Sequence, residues 1–132
     1  MPQQRAWELF ERLGNANASD LSRDQLLLVA LAGVRQEVNS GGFDSYFRYS
    51  YGKHAPAAVE AATEVGCARL ALLISEAMAR LALNPYEQDP SRREARIDER
   101  EIEFDDLDQS FYDLEGEDDL DARMQTLAAR IA

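Results

Sequence analysis

The feature of this sequence that could do chemistry is a cluster of carboxylates near its C-terminal end. Between Glu101 and Asp121 there are eleven Asp and Glu residues and no Lys, Arg or His. Outside this acidic segment, acidic residues and Lys plus Arg are equal in number, so the segment accounts for the whole formal net charge of −11. Such a concentrated field selects basic partners and repels nucleic acid. The carboxylates are Glu101, Glu103, Asp105, Asp106, Asp108, Asp113, Glu115, Glu117, Asp118, Asp119 and Asp121.

The charge density of the acidic segment resembles that of a nucleic acid strand. As one helix, its 21 residues would extend about 30 Å and carry about one charge per 3 Å. Duplex DNA carries one per about 1.7 Å and a single strand one per about 3.4 Å. Leu107, Phe111 and Leu114, at i, i+4 and i+7, would hold this helix on the core. We therefore expect a rigid ridge of outward-pointing carboxylates. A disordered or merely solubilising segment is the alternative.

The carboxylates do not have the spacing of a calcium-binding loop. An EF-hand loop requires oxygen ligands at its first, third and fifth positions and glycine at its sixth. A loop that began at Asp106 would have Phe111 at the sixth position. One that began at Asp113 would have Asp118 there. We predict no metal site.

A Cys–His pair is the other candidate for chemistry. His54, the single histidine, lies in a predicted loop, and Cys67, the single cysteine, begins an apolar helix. Nucleophilic catalysis requires the two side chains to touch and a third group to orient them, and nothing in the spacing enforces this contact. Gly41-Gly42 lacks the lysine and the preceding strand of a phosphate-binding loop. We predict that the protein is not an enzyme. A small enzyme that uses His54 or Cys67 is the alternative.

Helical spacing of apolar residues, with few β-branched residues, predicts an all-α fold for the chain. The longest apolar stretch predicts a central helix, which residues 39–42 should end. A short helix with its aromatic edge in the core is expected to follow. The length of 132 residues suits one domain. We predict a single compact domain, residues 1–132, of about six or seven helices. The central helix is marked by Leu27, Leu31, Val34 and Val38, and the aromatic edge by Phe43, Tyr46 and Phe47.

A polar helix is predicted after Asp89-Pro90, an N-cap followed by proline at the first helical position. It carries arginines at positions 92, 96 and 100, in one i, i+4 row. We expect Glu99 and Glu103 to form ion pairs with this row, because both lie within reach on a helix.

The composition indicates a soluble protein of the cytoplasm. A single cysteine excludes an internal disulfide and is typical of a reducing compartment. Membrane-spanning helices need about 20 apolar residues, and no stretch approaches that length. The first residues lack the apolar core of a signal peptide.

Residues 37–47, Glu-Val-Asn-Ser-Gly-Gly-Phe-Asp-Ser-Tyr-Phe, resemble the signature of a bacterial domain-of-unknown-function family typified by DNA-mimic antirepressor proteins. That signature reads roughly E-x-x-N-G-G-F-x-x-Y/F-F, and Ser40 departs from it. The similarity continues through residues 49–52 and 57–81. It resumes at Leu107-Asp-Gln-Ser-Phe-Tyr112, which is similar to the family's L-D-x-x-F-Y element. The motif residues are Gly41, Gly42, Phe43, Tyr46 and Phe47.

This resemblance implies an all-helical fold, homodimerisation, no cofactor and, for the best-known member, occupancy of a repressor's DNA-binding surface. The acidic segment lies outside the signature and is an independent indication. We therefore hypothesise an acidic DNA mimic that binds a basic DNA-binding protein, with the eleven carboxylates as phosphate surrogates and no binding to nucleic acid or membrane. An immunity or antitoxin-like protein that neutralises a basic toxin or nuclease is one alternative. A scaffold or stress protein with a solubilising acidic segment is another.

Overall fold

The structure, a computed structural model, describes residues 2–131, and side chains from residue 5 to residue 131. Seven α-helices and two short 3-10 turns follow one another, and the described residues contain no strand. The prediction of one compact all-α domain is confirmed. The helices are α1 (Pro2–Leu13), α2 (Arg23–Arg48), α3 (Ala55–Glu64), α4 (Ala68–Leu81), α5 (Pro90–Arg100), α6 (Asp105–Glu117) and α7 (Leu120–Ala128).

Helix α2 is the centre of the molecule. It begins at a capping box, in which the backbone amide of Gln25 donates to Ser22 Oγ and the amide of Ser22 donates to Gln25 Oε1. Every residue from 27 to 35 is buried, because α1, α3, α5, α6 and α7 all pack around it. A helix that is apolar around its whole girth must be enclosed in this way. The predicted central helix is confirmed.

The glycine pair divides α2 at a sharp bend. Gly41 and Gly42 have non-helical backbone angles, so one helical segment ends there and a second runs from Phe43 to Arg48. The predicted break at residues 39–42, followed by a short aromatic helix, is confirmed. The bend turns Phe43 and Phe47 into the core, where their ring centroids lie 6.3 Å and 5.4 Å from that of Phe104. The aromatic cluster therefore packs the core, as we predicted.

Helix α5 begins as predicted, with the Asp89 side chain accepting from the backbone amide of Ser91 and with Pro90 in the first turn. Its predicted internal ion pairs are not formed. Among the described side chains, no carboxylate oxygen lies within 4 Å of Arg96 or Arg100. Arg48 at the end of α2 instead binds Glu94 and Asp98 from α5, with N–O distances of 3.2 Å and 2.9 Å. Long-range pairing has replaced the local pairing that helical spacing suggested.

Arg93 is fully buried and joins α5 to the end of α2. Its guanidinium donates to four backbone carbonyls, those of Phe47, Tyr49, Glu87 and Gln88, at 2.8–2.9 Å. The Tyr86 hydroxyl donates to the Gly52 carbonyl beside it, at 2.6 Å. Arg93 thus supplies donors to backbone carbonyls at the end of α2 and in the segment before α5, and ties the two together.

No helix in residues 2–131 combines the length and the hydropathy needed to cross a membrane.

Replacing Arg93 by alanine or by methionine should lower the free energy of unfolding by about 3–5 kcal/mol, because four backbone carbonyls, that of Phe47 fully buried, lose a donor. Urea denaturation measures the change. The neighbouring Arg92→Ala is the control, since Arg92 is exposed, and it should change stability by less than about 0.5 kcal/mol. An Arg93→Met variant as stable as the wild type would show that the four hydrogen bonds contribute nothing.

Candidate functional site

The acidic segment is not one straight helix. Helix α5 ends at Arg100, Glu101 has the left-handed φ of 50°, and α6 begins only at Asp105. A second break at Asp118 and Asp119 separates α6 from α7. Our expectation of a single helical ridge was therefore wrong. The eleven carboxylates lie on two turns, one helix and the start of another.

Helix α6 lies on the core through Leu107, Phe111 and Leu114, which are all buried as predicted. It packs between α2 and α4. Because successive residues turn by about 100°, its side chains divide into two flanks and a crest. The flank towards α4 carries Asp106, Asp113 and Glu117. The flank towards α2 carries Asp108, Tyr112 and Glu115. The crest, the solvent-facing side between the two flanks, carries Gln109 and Gly116.

Arginines of α4 hold the first flank. Nη1 and Nη2 of Arg80 each bind one carboxylate oxygen of Asp106 at 2.7 Å, and Nη1 also donates to the Glu103 carbonyl at 3.0 Å. Arg69 binds Glu117 at 2.7 Å. The hydrogen bonds from Arg80 lower the pKa of Asp106 to about 2. These two carboxylates are therefore neutralised by the molecule itself, although their side chains remain 67% and 61% exposed.

A buried arginine of α2 holds the second flank. Arg35 donates to both oxygens of Glu115, at 2.7 Å and 2.8 Å, and to Asp121 at 2.8 Å. The Asn39 amide adds a bond to Glu115 at 3.0 Å, and the Trp7 indole one to Asp121 at 3.3 Å. The hydrogen bond from Arg35 lowers the pKa of Asp121. The sequence signal for Arg35 was an arginine just after the apolar run, between Val34 and Val38 of the predicted central helix.

Three further carboxylates have partners close by. Arg123 binds both oxygens of Asp118, at 2.7 Å and 3.0 Å. Asp119 caps α7 by accepting from the amide of Ala122 at 3.0 Å. Asp108 accepts from the backbone amide of Phe43 at 2.8 Å.

Four exposed carboxylates of the segment, Glu101, Glu103, Asp105 and Asp113, have no Lys or Arg nitrogen within 4 Å among the described side chains. The first three, which we call the acidic corner, lie on the turn between α5 and α6 and on the first residue of α6. The prediction that all eleven carboxylates project freely into solvent is wrong for the other seven. Five of those seven bind arginines and two bind backbone amides.

The acidic corner has a defined backbone. Its carboxylates alternate with Ile102, which is partly buried, and Phe104, which is 2% exposed. The amide of Ile102 donates to the Ile97 carbonyl at 3.1 Å, and Arg80 holds the Glu103 carbonyl. The three carboxylates are thus presented on one side of an anchored turn.

The candidates for catalysis are not brought together. His54 and Cys67 are buried, and no hydrogen bond joins them in the part of the chain that the structure describes. The closest polar contact of the Cys67 thiol is with Asp118, at 3.9 Å. Burial, with a smaller effect of Lys53, lowers the pKa of His54. Among residues described here, no group of three His, Cys, Asp or Glu side chains is arranged to hold a metal.

The glycine–aromatic motif lies inside the molecule. Phe43, Tyr46 and Phe47 have no exposed surface, and Gly42 is buried at the bend of α2. This motif therefore shapes the core, next to α6, and presents no side chain to a partner.

Comparison with known proteins gives one match. A family model described as DMP19-like protein matches residues 19–130. No curated protein and no solved structure matches the chain.

The ion pair between Arg80 and Asp106 predicts a change of stability with pH. The folded-state pKa of about 2 lies below the ordinary value of about 3.9. The stabilisation is thus complete above pH 4 and is lost as the pH falls towards 2. Carboxyl-carbon NMR of Asp106 should show the low pKa, and Arg80→Gln should return it to about 4. Arg69→Gln is the control and should leave it unchanged. A wild-type Asp106 that titrates near 4 would contradict the pairing.

Proposed function

The chain belongs to the DMP19-like protein family, and on that premise we propose that it is a DNA mimic. It binds the DNA-binding surface of a basic protein, such as a transcriptional repressor, and blocks the binding of that protein to DNA. The observation that carries this proposal is the acidic corner, Glu101, Glu103 and Asp105. These carboxylates stay unpaired in a molecule whose other acidic-segment residues are mostly held by its own arginines and backbone amides.

The corner supports the proposal because its charges are both free and held in place. A partner's guanidinium can bind an unpaired carboxylate without breaking an existing ion pair. A fixed array also loses less conformational entropy on binding than a mobile tail does. The anchoring of Ile102, Phe104 and the Glu103 carbonyl supplies this preorganisation.

Asp106 and Glu117, which are already paired with arginines, can also contact a partner, but they bind it more weakly than the acidic corner does. Asp106 and Glu117 remain more than half exposed, and each ionised carboxylate offers about four acceptor sites. A partner can therefore share them with Arg80 and Arg69. Asp113 lies on the same flank with no arginine bound. We propose that the corner and this flank form one continuous contact surface. Association is steered by charge, so it is fast and weakens as salt is added.

The proposed role requires no catalysis and no cofactor. The buried, separated positions of His54 and Cys67 support a binding protein over a small enzyme. A cytoplasmic location is part of the same proposal, since the partner acts on DNA there.

Affinity capture from a nuclease-treated lysate should recover a DNA-binding protein, and the chain should then displace that protein from its DNA in a gel-shift assay. The variant Glu101→Gln, Glu103→Gln, Asp105→Asn should need about tenfold more protein for the same displacement, because three ion pairs of about 0.5 kcal/mol each are lost.

The matched control for this experiment is the variant Glu8→Gln, Glu11→Gln, Asp20→Asn. It removes the same number of unpaired exposed charges elsewhere and should compete almost as the wild type does. Equal weakening by both variants would mean that net charge, and not the corner, drives binding. Recovery of a basic toxin or nuclease in place of a DNA-binding protein would favour the immunity or antitoxin role.

We also propose that the protein is a homodimer. Leu72 supports this, because its side chain is 69% exposed and shares an apolar surface with Gly66, Ala68 and Ala71. Light scattering should give twice the chain mass of 14.8 kDa. Leu72→Glu should shift the protein towards the monomer, since a carboxylate would be buried there. A wild-type mass of one chain would contradict the proposal.

A further inference from the structure

The bend in α2 departs from regular helix geometry at Gly41 and Gly42, between Val38 and Phe43. Gly42 has φ 76° and ψ −179°, so a new helical segment starts at Phe43. The first amides of a helical segment have no carbonyl four residues before them to bond. Val38 and Phe43 on the two sides of the bend are both buried residues, and buried backbone groups need hydrogen-bond partners.

Helix α6 supplies both partners. Asp108 Oδ1 accepts from the Phe43 amide at 2.8 Å, and the Tyr112 hydroxyl donates to the Val38 carbonyl at 3.2 Å. Because Asp108 and Tyr112 are four residues apart, they lie on the same flank of α6. One flank of α6 therefore binds the backbone on both sides of the bend.

The contact also explains the glycine. A Cβ atom at position 42 would overlap the carboxylate of Asp108, and a φ of +76° is one that other residues rarely adopt. Gly42 thus lets Asp108 approach the backbone closely. Two of the parts of the sequence that carried the family resemblance, residues 37–47 and 107–112, meet at this contact.

We propose that Asp108 and Tyr112 form a clasp on the bend of α2 that fixes α6 in place, and that Asp108 is a positioning residue which does not contact the partner. The second part of this proposal depends on the proposed function, whereas the clasp itself does not. Asp108 has Asp44 from α2 and Asp105 and Asp106 from α6 as neighbours, and its burial, with smaller effects of these carboxylates, raises its pKa. The surroundings of Asp108 therefore disfavour its negative charge. Its role at the bend is to supply the oxygen that accepts the hydrogen bond from the Phe43 amide.

Amide hydrogen exchange of Phe43, measured by NMR in the protein alone, tests the clasp. Asp108→Asn keeps a carbonyl acceptor and should leave exchange within about twofold of the wild type. Asp108→Ala removes the acceptor and should speed exchange at least about fivefold, as expected for loss of a capping interaction. Wild-type protection of Phe43 in Asp108→Ala would overturn the clasp.

Binding of an arginine nonapeptide at low salt tests the positioning role. Asp108→Asn and Asp105→Asn remove the same charge, but only Asp105 belongs to the acidic corner. We expect Asp105→Asn to weaken binding by up to about fivefold and Asp108→Asn to leave it unchanged. Asp108→Ala should weaken binding although its charge equals that of Asp108→Asn. Equal weakening by the two Asn variants would overturn the positioning role.

The two measurements separate this proposal from the proposed function. If Asp105→Asn has no effect on peptide binding, the acidic corner loses its support, and the exchange of the Phe43 amide alone decides the clasp.

Discussion

The supply of arginines decides which carboxylates of this molecule are free. The chain has 14 Lys and Arg residues for 25 Asp and Glu residues, so one-to-one pairing would leave 11 carboxylates without a partner. Most arginines that bind carboxylates reach across helices, as Arg35, Arg69 and Arg80 do towards α6. They hold α6 and α7 on the body of the protein, and the turn before α6 is left unpaired. The free charge thus lies where the arginines do not reach, and not evenly along the acidic segment.

Much of the fold could be predicted from the sequence, because it depends on local patterns. The central helix followed from the apolar run at residues 26–32, and the start of α5 from Asp89-Pro90. The break at Gly41 and Gly42 also followed from the sequence, because paired glycines interrupt a helix. Local pattern could not show which other element bonds the backbone at this break. Here α6 does so, more than 60 residues later in the chain.

The candidate site was less predictable than the fold, because its contacts join residues that are far apart in the chain. Composition located the eleven carboxylates, and the periodicity of Leu107, Phe111 and Leu114 gave the buried face of α6. Neither could show that Glu115 binds Arg35 or that Asp106 binds Arg80, because those pairs join residues 80 and 26 positions apart. Arg93 is similar: its partners are backbone carbonyls, which leave no mark in the sequence.

The crest of α6 has a consequence for whatever recognises this surface. Gln109 is uncharged, and a Cβ atom at Gly116 would meet nothing within 4 Å. The carboxylates on either side are separated by roughly the 10 Å diameter of a helix. A single row of basic side chains would therefore reach one flank only. The flank towards α4 is the one it can use, because Glu115 on the other flank is 18% exposed and bound by Arg35, and Asp108 there accepts from the Phe43 amide. One basic helix or strand of a recognising protein would be enough to cover that side.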